Sequence, residues 1–384
     1  MGRGRVVGKG VAGAAAVLLL VAGCSSSPDG DGRRTGSPPV PSAPPAPSAS
    51  SAPSTPPAPA AGGMRVAGTL TEGLRSPWGL AELPGGDLLV SSRDERTITR
   101  VDAPTGRRTT LGEVPGVVPG GEGGLMGLAV RDGWVYAYLT SASDNRIVRM
   151  RYGGGAGDRL GAPEPVLTGL PKGLIHNGGR IAFGPDGMLY AGTGETGRTG
   201  LAQDKGSLGG KILRMTPEGR PAPGNPFPDS VVYSYGHRNV QGLAWDADGR
   251  LWASEFGQNT WDELNLIEPG RNYGWPVVEG TAGRAGFTDP VAQWPTDQAS
   301  PSGIAYARGA IWMAGLRGER LWRIPLSGAE RSGEPRAFLK DEYGRLRTVL
   351  ATGGGAGLWL VTSETDTRGT PGPGDDRILR LEVG

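Results

Sequence analysis

The sequence predicts an all-β fold: a six-bladed β-propeller preceded by a signal peptide and a disordered tether rich in Pro, Ser and Ala. Three observations predict it. An Ile/Leu-Ala pair recurs six times, at Leu80-Ala81, Leu128-Ala129, Ile181-Ala182, Leu243-Ala244, Ile304-Ala305 and Leu350-Ala351. After each pair comes a turn and then a glycine that opens an alternating apolar strand, at Gly86, Gly133, Gly187, Gly249, Gly309 and Gly357. Each unit closes on a further strand, marked by Ile98-Thr-Arg100, Ile147-Val-Arg149, Ile212-Leu-Arg214, Leu264-Asn-Leu266, Leu321-Trp-Arg323 and Ile378-Leu-Arg380. The glycines are 47, 54, 62, 60 and 48 residues apart by subtraction of their numbers. Several short strands per unit at such a period are the pattern of propeller blades. No amphipathic helix of useful length interrupts them, which disfavours α/β alternatives.

Three regions follow in order. Residues 1–23 read as a lipoprotein signal peptide, with Arg3, Arg5 and Lys9 ahead of an apolar run from Val11 to Ala22 that is too short to span a bilayer. That run ends in Leu20-Val21-Ala22-Gly23-Cys24, which resembles a bacterial lipobox, so Cys24 is the expected lipidation site. Residues 24–63 are mostly Ser, Pro, Ala and Gly with almost no bulky apolar residue, a composition that cannot offset the entropy of ordering. An extended tether of this length reaches on the order of 100 Å. Residues 64–384 form the propeller, with Val66 to Glu72 expected to add an outer strand to the last blade and close the ring. The expected location is extracytoplasmic, lipid-anchored to the outer face of the bacterial cell membrane, with the anchor as the only membrane contact.

Cys24 is the one cysteine in 384 residues, so the fold is expected to have no disulfide. The 40 Lys and Arg nearly balance 38 Asp and Glu, and no basic arm or block argues for nucleic acid.

Only two histidines occur, and both lie in tight polar motifs: Gly173-Leu-Ile-His-Asn-Gly-Gly-Arg180 and Tyr235-Gly-His-Arg-Asn-Val-Gln-Gly242. Imidazole is the side chain best matched to proton transfer near neutral pH. In a propeller blade, the loop before the first strand and the loop after the second line the same rim of the central channel. His176, Arg238 and Arg345 each lie five positions before an Ile/Leu-Ala pair, and Glu122 lies six before one. Gly257-Gln258 and Arg317 follow second strands. The spacing therefore predicts one funnel holding a single histidine among Arg238, Arg317, Arg345 and Arg347, with Asn239 nearby. Several guanidinium forks around one base suit a polyanionic ligand together with proton abstraction.

These motifs resemble the soluble quinoprotein sugar dehydrogenases, the glucose/sorbosone dehydrogenase family, which use pyrroloquinoline quinone (PQQ). The strings that carry the resemblance are His-Asn-Gly-Gly-Arg-Ile with Phe183-Gly-Pro-Asp-Gly187, Gly236-His-Arg-Asn with Gln241-Gly242, Ser254-Glu-Phe-Gly-Gln-Asn259 and Asn272-Tyr-Gly-Trp-Pro276. The resemblance implies oxidation of an aldose to a lactone, with PQQ and Ca²⁺ as cofactors. His176 resembles the general base, and Arg238 and Asn239 the groups that bind and polarise the quinone carbonyls. Arg317, Arg345 and Arg347 match the cationic positions around the PQQ carboxylates. The carbonyls of Gly257 and Gln258 resemble ligands of a Ca²⁺ that joins cofactor to protein. Asp262, Glu263 and Tyr273 are implied to bind a second, structural Ca²⁺, and Trp294 to stack on cofactor or sugar. His237 is expected to orient the Arg238 loop.

The sequence also departs from the family. Ile175 stands where glucose-oxidising members carry aspartate, and Glu122, counted with the cofactor-binding residues, where they carry glutamine. The segment from Trp275 to Trp294 is short. These differences favour a broad aldose dehydrogenase over a glucose-specific one. Electrons are expected to pass to an external acceptor or a membrane quinone. Two other readings stay open: a calcium-dependent propeller lactonase, and a non-catalytic sugar-binding or scaffold propeller.

Overall fold

Each predicted Ile/Leu-Ala pair lies on the first strand of a blade. The protein is described by a computed structural model covering residues 59–153, 159–353 and 355–384. The expected leader, Cys24 and tether residues 24–58 lie outside the described residues.

Blade 1 runs Pro77–Glu82, Leu88–Ser92, Thr97–Val101, Arg108–Glu113, and blade 2 Leu125–Arg131, Trp134–Thr140, Asn145–Arg151, Glu164–Leu170. Blade 3 is Ile181–Phe183, Leu189–Gly192, Lys211–Met215, Val232–Tyr235, and blade 4 Val240–Trp245, Leu251–Glu255, Trp261–Ile267, Ala292–Pro295. Blade 5 has Pro301–Ala307, Ala310–Gly315 and Arg320–Ser327, edged by Glu330–Arg331 and Arg336–Phe338. Blade 6 has Leu346–Ala351, Gly357–Thr362 and Ile378–Val383. Its outer strand comes from the other end of the described chain: Met64–Thr71 pairs antiparallel with Ile378–Val383. The sequence placed this closing strand at Val66 to Glu72, so only its ends differ.

First strands of consecutive blades pack side by side around the whole circle, from blade 1 through blade 6 and back to blade 1. Alternation along each strand sends apolar side chains into the gaps between blades. The result is six apolar clusters, one at each junction between neighbouring blades. Large side chains such as Trp252 and Trp312 are fully buried there, each worth roughly 1.5–3 kcal/mol by apolar transfer.

Close approach at the channel explains why glycine precedes the Ile/Leu-Ala pair in four blades. A Cβ on Gly127 would sit 2.2 Å from the Gly179 carbonyl oxygen. Blade 3 carries Arg180 at that position instead. Its side chain braces the channel floor, donating to the Gln241 carbonyl at 2.7 Å and to Thr348 Oγ1 at 3.0 Å, and lying over the Trp78 ring at 4.5 Å. Burial, reinforced by the charge of Arg347, pulls its pKa down to about 9.

Candidate active site

The loops that precede first strands and follow second strands enclose a cavity of about 620 Å³. His176, Arg238, Asn239, Arg317, Arg345 and Arg347 all line it, as do Glu122, Gly257, Gln258 and Asp262. Ten of the thirteen described residues that the sequence nominated therefore meet in one place.

His176 is held at three points. Its backbone is left-handed, with φ +52°, a conformation that costs a non-glycine residue energy unless its surroundings enforce it. Its N–H donates to Glu122 Oε2 at 2.8 Å, and its carbonyl accepts from Thr196 N at 3.1 Å. Its ring Nδ1 pairs with Glu195 Oε1 at 2.5 Å. Glu195 is almost wholly buried, and its Oε2 has no partner. With Nδ1 committed to that carboxylate, Nε2 is the nitrogen left to act on a ligand. Asn239 supports the same loop by accepting from Gly178 N at 2.9 Å, which leaves its amide NH₂ as the donor end.

The arginines close on the cavity from three blades: Arg238 ahead of blade 4, Arg317 after the second strand of blade 5, and Arg345 and Arg347 at the start of blade 6. Arg345 and Arg347 share one carboxylate, reaching Asp366 Oδ2 at 3.2 and 2.9 Å. Burial alone would raise the Asp366 carboxyl, but the two guanidinium charges outweigh it and hold the pKa at about 2. Burial pulls Arg347 down to about 10 against the opposing pull of Asp366. Arg238 lies 5.4 Å over the Trp275 ring, and burial lowers its pKa against the raising effect of surrounding carboxylates, Glu195 first. The Nε atoms of Arg238 and Arg345 have no hydrogen-bond acceptor. Buried donors of this kind are costly unless a ligand satisfies them.

Strand pairing between Leu251–Glu255 and Trp261–Ile267 ends at Glu255–Glu263, so the Gly257 and Gln258 carbonyls are outside the ladder. Beside them, Asp262 accepts from Gly257 N at 2.9 Å and Ser300 N at 2.6 Å. Burial pushes its pKa up to about 7 despite those two donors. Two backbone oxygens next to a carboxylate form a hard oxygen donor set suited to Ca²⁺.

Three nominated residues lie elsewhere. Glu263 neighbours Asp262 on a strand and so points to the opposite face. There it accepts from Gly280 N at 2.7 Å and Asn265 Nδ2 at 3.0 Å. The Tyr273 hydroxyl donates to the Leu266 carbonyl at 2.6 Å and accepts from Glu268 N. A second calcium held jointly by the side chains of Asp262, Glu263 and Tyr273 does not fit this arrangement. Among the described residues, no three His, Cys, Asp or Glu side chains gather as a metal site. Trp294 is buried between blades 4 and 5 against Trp322, not in the cavity.

His237 is fully buried, between Ser234 Oγ and Glu255 Oε1, and stacks on Tyr273 at 4.7 Å. Glu255 in turn accepts from Arg238 N at 2.8 Å, so this chain fixes the Arg238 backbone. The sequence reasoning missed Arg93, Glu195, Asp366 and Arg368. All four follow the second strand of a blade, the same rule that selected Gln258 and Arg317.

Residues 74–371 match the glucose/sorbosone dehydrogenase family. The chain belongs to that family. It is an oxidoreductase of the sugar dehydrogenase class. The PQQ-bound form of aldose sugar dehydrogenase from Streptomyces coelicolor superposes with a TM-score of 0.83 at 70% identity, covering 85% of this chain and all of that one. Aldose sugar dehydrogenase YliI of Escherichia coli is 28% identical over 335 residues, which is 77% of this chain and 89% of the relative. Quinoprotein glucose dehydrogenase B of Acinetobacter calcoaceticus is 32% identical over 252 residues, 56% of this chain and about half (53%) of the relative.

Proposed function

We infer that the protein oxidises aldoses at the anomeric carbon to lactones, with PQQ in the arginine cage and Ca²⁺ at the Gly257 and Gln258 carbonyls. The observation that carries this is a charge excess: with Arg368 paired to Glu122 and Arg93 to Asp94, the cavity is still lined by Arg238, Arg317, Arg345 and Arg347 against two carboxylates, Asp262 and Asp366. Two of those arginines also keep a buried Nε without an acceptor. A planar polycarboxylate supplies the missing acceptors. A lactonase or a sugar-binding scaffold gives no reason for such a cage.

Arg345, Arg347 and Arg317 would hold the carboxylates, while Arg238 and the Asn239 amide would donate to the quinone oxygens. Bound there, the quinone supplies the two-electron acceptor and Ca²⁺ a Lewis acid. His176 Nε2 takes the proton of the anomeric hydroxyl as the C1–H leaves with its electron pair and the C1–O bond becomes a carbonyl. Glu195 fixes the productive tautomer through Nδ1–H and pairs with the imidazolium that forms. Phe256, Leu316 and Trp78 add apolar side chains to the cavity lining.

The test adds PQQ and Ca²⁺ to purified apoprotein and follows dye reduction over a panel of aldoses. Saturable activity requiring both additives supports the reading, and no PQQ binding at micromolar concentration rejects it. His176→Ala is expected to retain PQQ while losing ~10²–10⁴-fold in turnover, the usual loss for a general base. Activity across several aldoses supports the broad specificity that Ile175 and Glu122 suggest; activity on glucose alone contradicts it. Anchoring through Cys24, with electrons leaving to an external acceptor or membrane quinone, rests on the leader sequence. Release of a Cys24→Ser variant from the membrane fraction would support it, and unchanged retention would not.

A further inference from the structure

Glu122 spends both oxygens within the protein. Oε2 accepts the His176 N–H at 2.8 Å, and Oε1 accepts Arg368 Nη2 at 2.6 Å. The Glu122 backbone N–H also donates to the Leu174 carbonyl at 2.8 Å, so two bonds tie this loop to the strained turn that carries the base. Arg368 reaches across the mouth of the cavity from blade 6, and its own N–H is anchored on Asp366 Oδ1 at 2.8 Å. Asp366 is the carboxylate shared by Arg345 and Arg347. A continuous chain of charge-assisted bonds therefore runs from the arginine cage, through Arg368 and Glu122, to the His176 peptide.

We propose that Glu122 is a positioning residue for the base, holding the left-handed His176 peptide in place, and that Arg368 fixes Glu122 in that task. The physical warrant is the φ of +52° at His176. A non-glycine residue stays in that region only when its surroundings over-determine it. An ionised acceptor strengthens the amide bond that does so. Arg368 is more than half exposed, so its ion pair yields to salt, whereas the Glu195 contact on the ring is buried. The backbone of the base thus depends on an exposed pair, and its ring on a buried one. This inference rests on the reading of His176 as base, but the decisive measurement does not need turnover.

Because the chain has two histidines, selective ¹⁵N-histidine labelling gives two backbone amide signals, with His237 as internal reference. In apoprotein, Glu122→Leu is expected to move the His176 amide proton upfield and leave His237 in place. Arg368→Gln should move it in the same direction by less. Arg331→Gln, which breaks a pair with Glu334 at the outer edge of blade 5 and outside the cavity lining, should move neither. In PQQ-loaded enzyme, Arg368→Gln should lower kcat by roughly 3- to 10-fold with little change in PQQ affinity, the scale of a lost exposed ion pair acting through one hydrogen bond. Glu122→Gln keeps an acceptor for His176 N–H but loses the ion pair, so it should match Arg368→Gln. The double variant should then be no worse than either single one. An unmoved His176 amide in Glu122→Leu overturns the proposal, as does an Arg368→Gln effect confined to PQQ affinity. Should Glu122→Leu fail to fold, the Arg368→Gln spectrum decides alone, since that side chain is exposed. A moved amide with no dehydrogenase activity in any variant would leave the positioning intact and refute the redox reading instead.

Discussion

Replacing Asp366 by asparagine separates the cost of the arginine cage from its use. The side chain is buried and serves Arg345, Arg347 and Ser363 through Oδ2. Asparagine keeps the shape and one acceptor but removes the charge. The carboxyl is held at about 2 against an ordinary 3.8, a difference worth roughly 2–3 kcal/mol at about 1.36 kcal/mol per unit. Leaving two buried guanidinium groups uncompensated argues for the upper end. The apoprotein of Asp366→Asn should therefore lose about 3 kcal/mol, a fall in Tm of several degrees for a domain this large. The sign with pH follows from the depressed pKa: the stabilisation is full above about pH 5, fades as pH falls through the native value, and is gone below both. Wild-type and variant denaturation curves should thus converge toward pH 2 and separate above pH 4. PQQ, which brings its own carboxylates, should restore more stability to the variant than to wild type. Chemical denaturation of both proteins across pH, with and without PQQ, is the assay. An apoprotein variant as stable as wild type at pH 7, or one that PQQ fails to rescue, refutes the compensated-cage reasoning.

Three further outcomes follow from other contacts. Glu195→Gln should keep PQQ binding while lowering kcat by roughly 10- to 100-fold, as for other lost orienting partners, and steady-state kinetics beside a PQQ titration checks it. Lys211 is fully buried and donates to the Leu201, Ala202 and Gly209 carbonyls at 2.6–3.0 Å, so Lys211→Met, which leaves them unpaired, should cost about 2–4 kcal/mol in a denaturant titration. Deleting residues 59–71 removes the outer strand of blade 6 and should lower Tm well beyond any terminal trimming; an unchanged melt would mean the ring does not need that closure.

Much of the fold was legible because a propeller repeats its instructions. The Ile/Leu-Ala pair marks the channel strand, and in five blades the later glycine marks the turn into the second strand, where an αL residue is needed, as at Gly249 with φ +77°; in blade 6 the turn residue is Gly355, and Gly357 begins the strand. Six copies in register left little freedom in blade count. The outermost strands were less legible. Arg336–Phe338 sits at a blade edge and is mostly exposed, so the alternating pattern is weak there, and Ala292–Pro295 alternates over only four residues.

The site divides along the same physical line. Residues set by chain position, such as His176, Arg238 and Arg345, could be placed by counting from a repeat mark. The same counting applied after every second strand would have reached Arg93, Glu195 and Asp366, which lie beyond Ser92, Gly192 and Thr362. What counting cannot supply is which of the two faces of a strand looks into the cavity. Asp262 and Glu263 are adjacent acids in the sequence, and the pleat sends one to the cavity and the other to the His237–Glu255–Asn265 network. Trp294 pairs across the ladder with Asp262, yet its ring packs between blades on Trp322. In a ladder, cross-strand partners share a face of the sheet, but only a residue at the rim end of the strand can turn that face toward a ligand. The acid beside the Gly257 loop has that freedom, through contacts with Gly257 N and Ser300 N; the tryptophan opposite it is enclosed by the next blade.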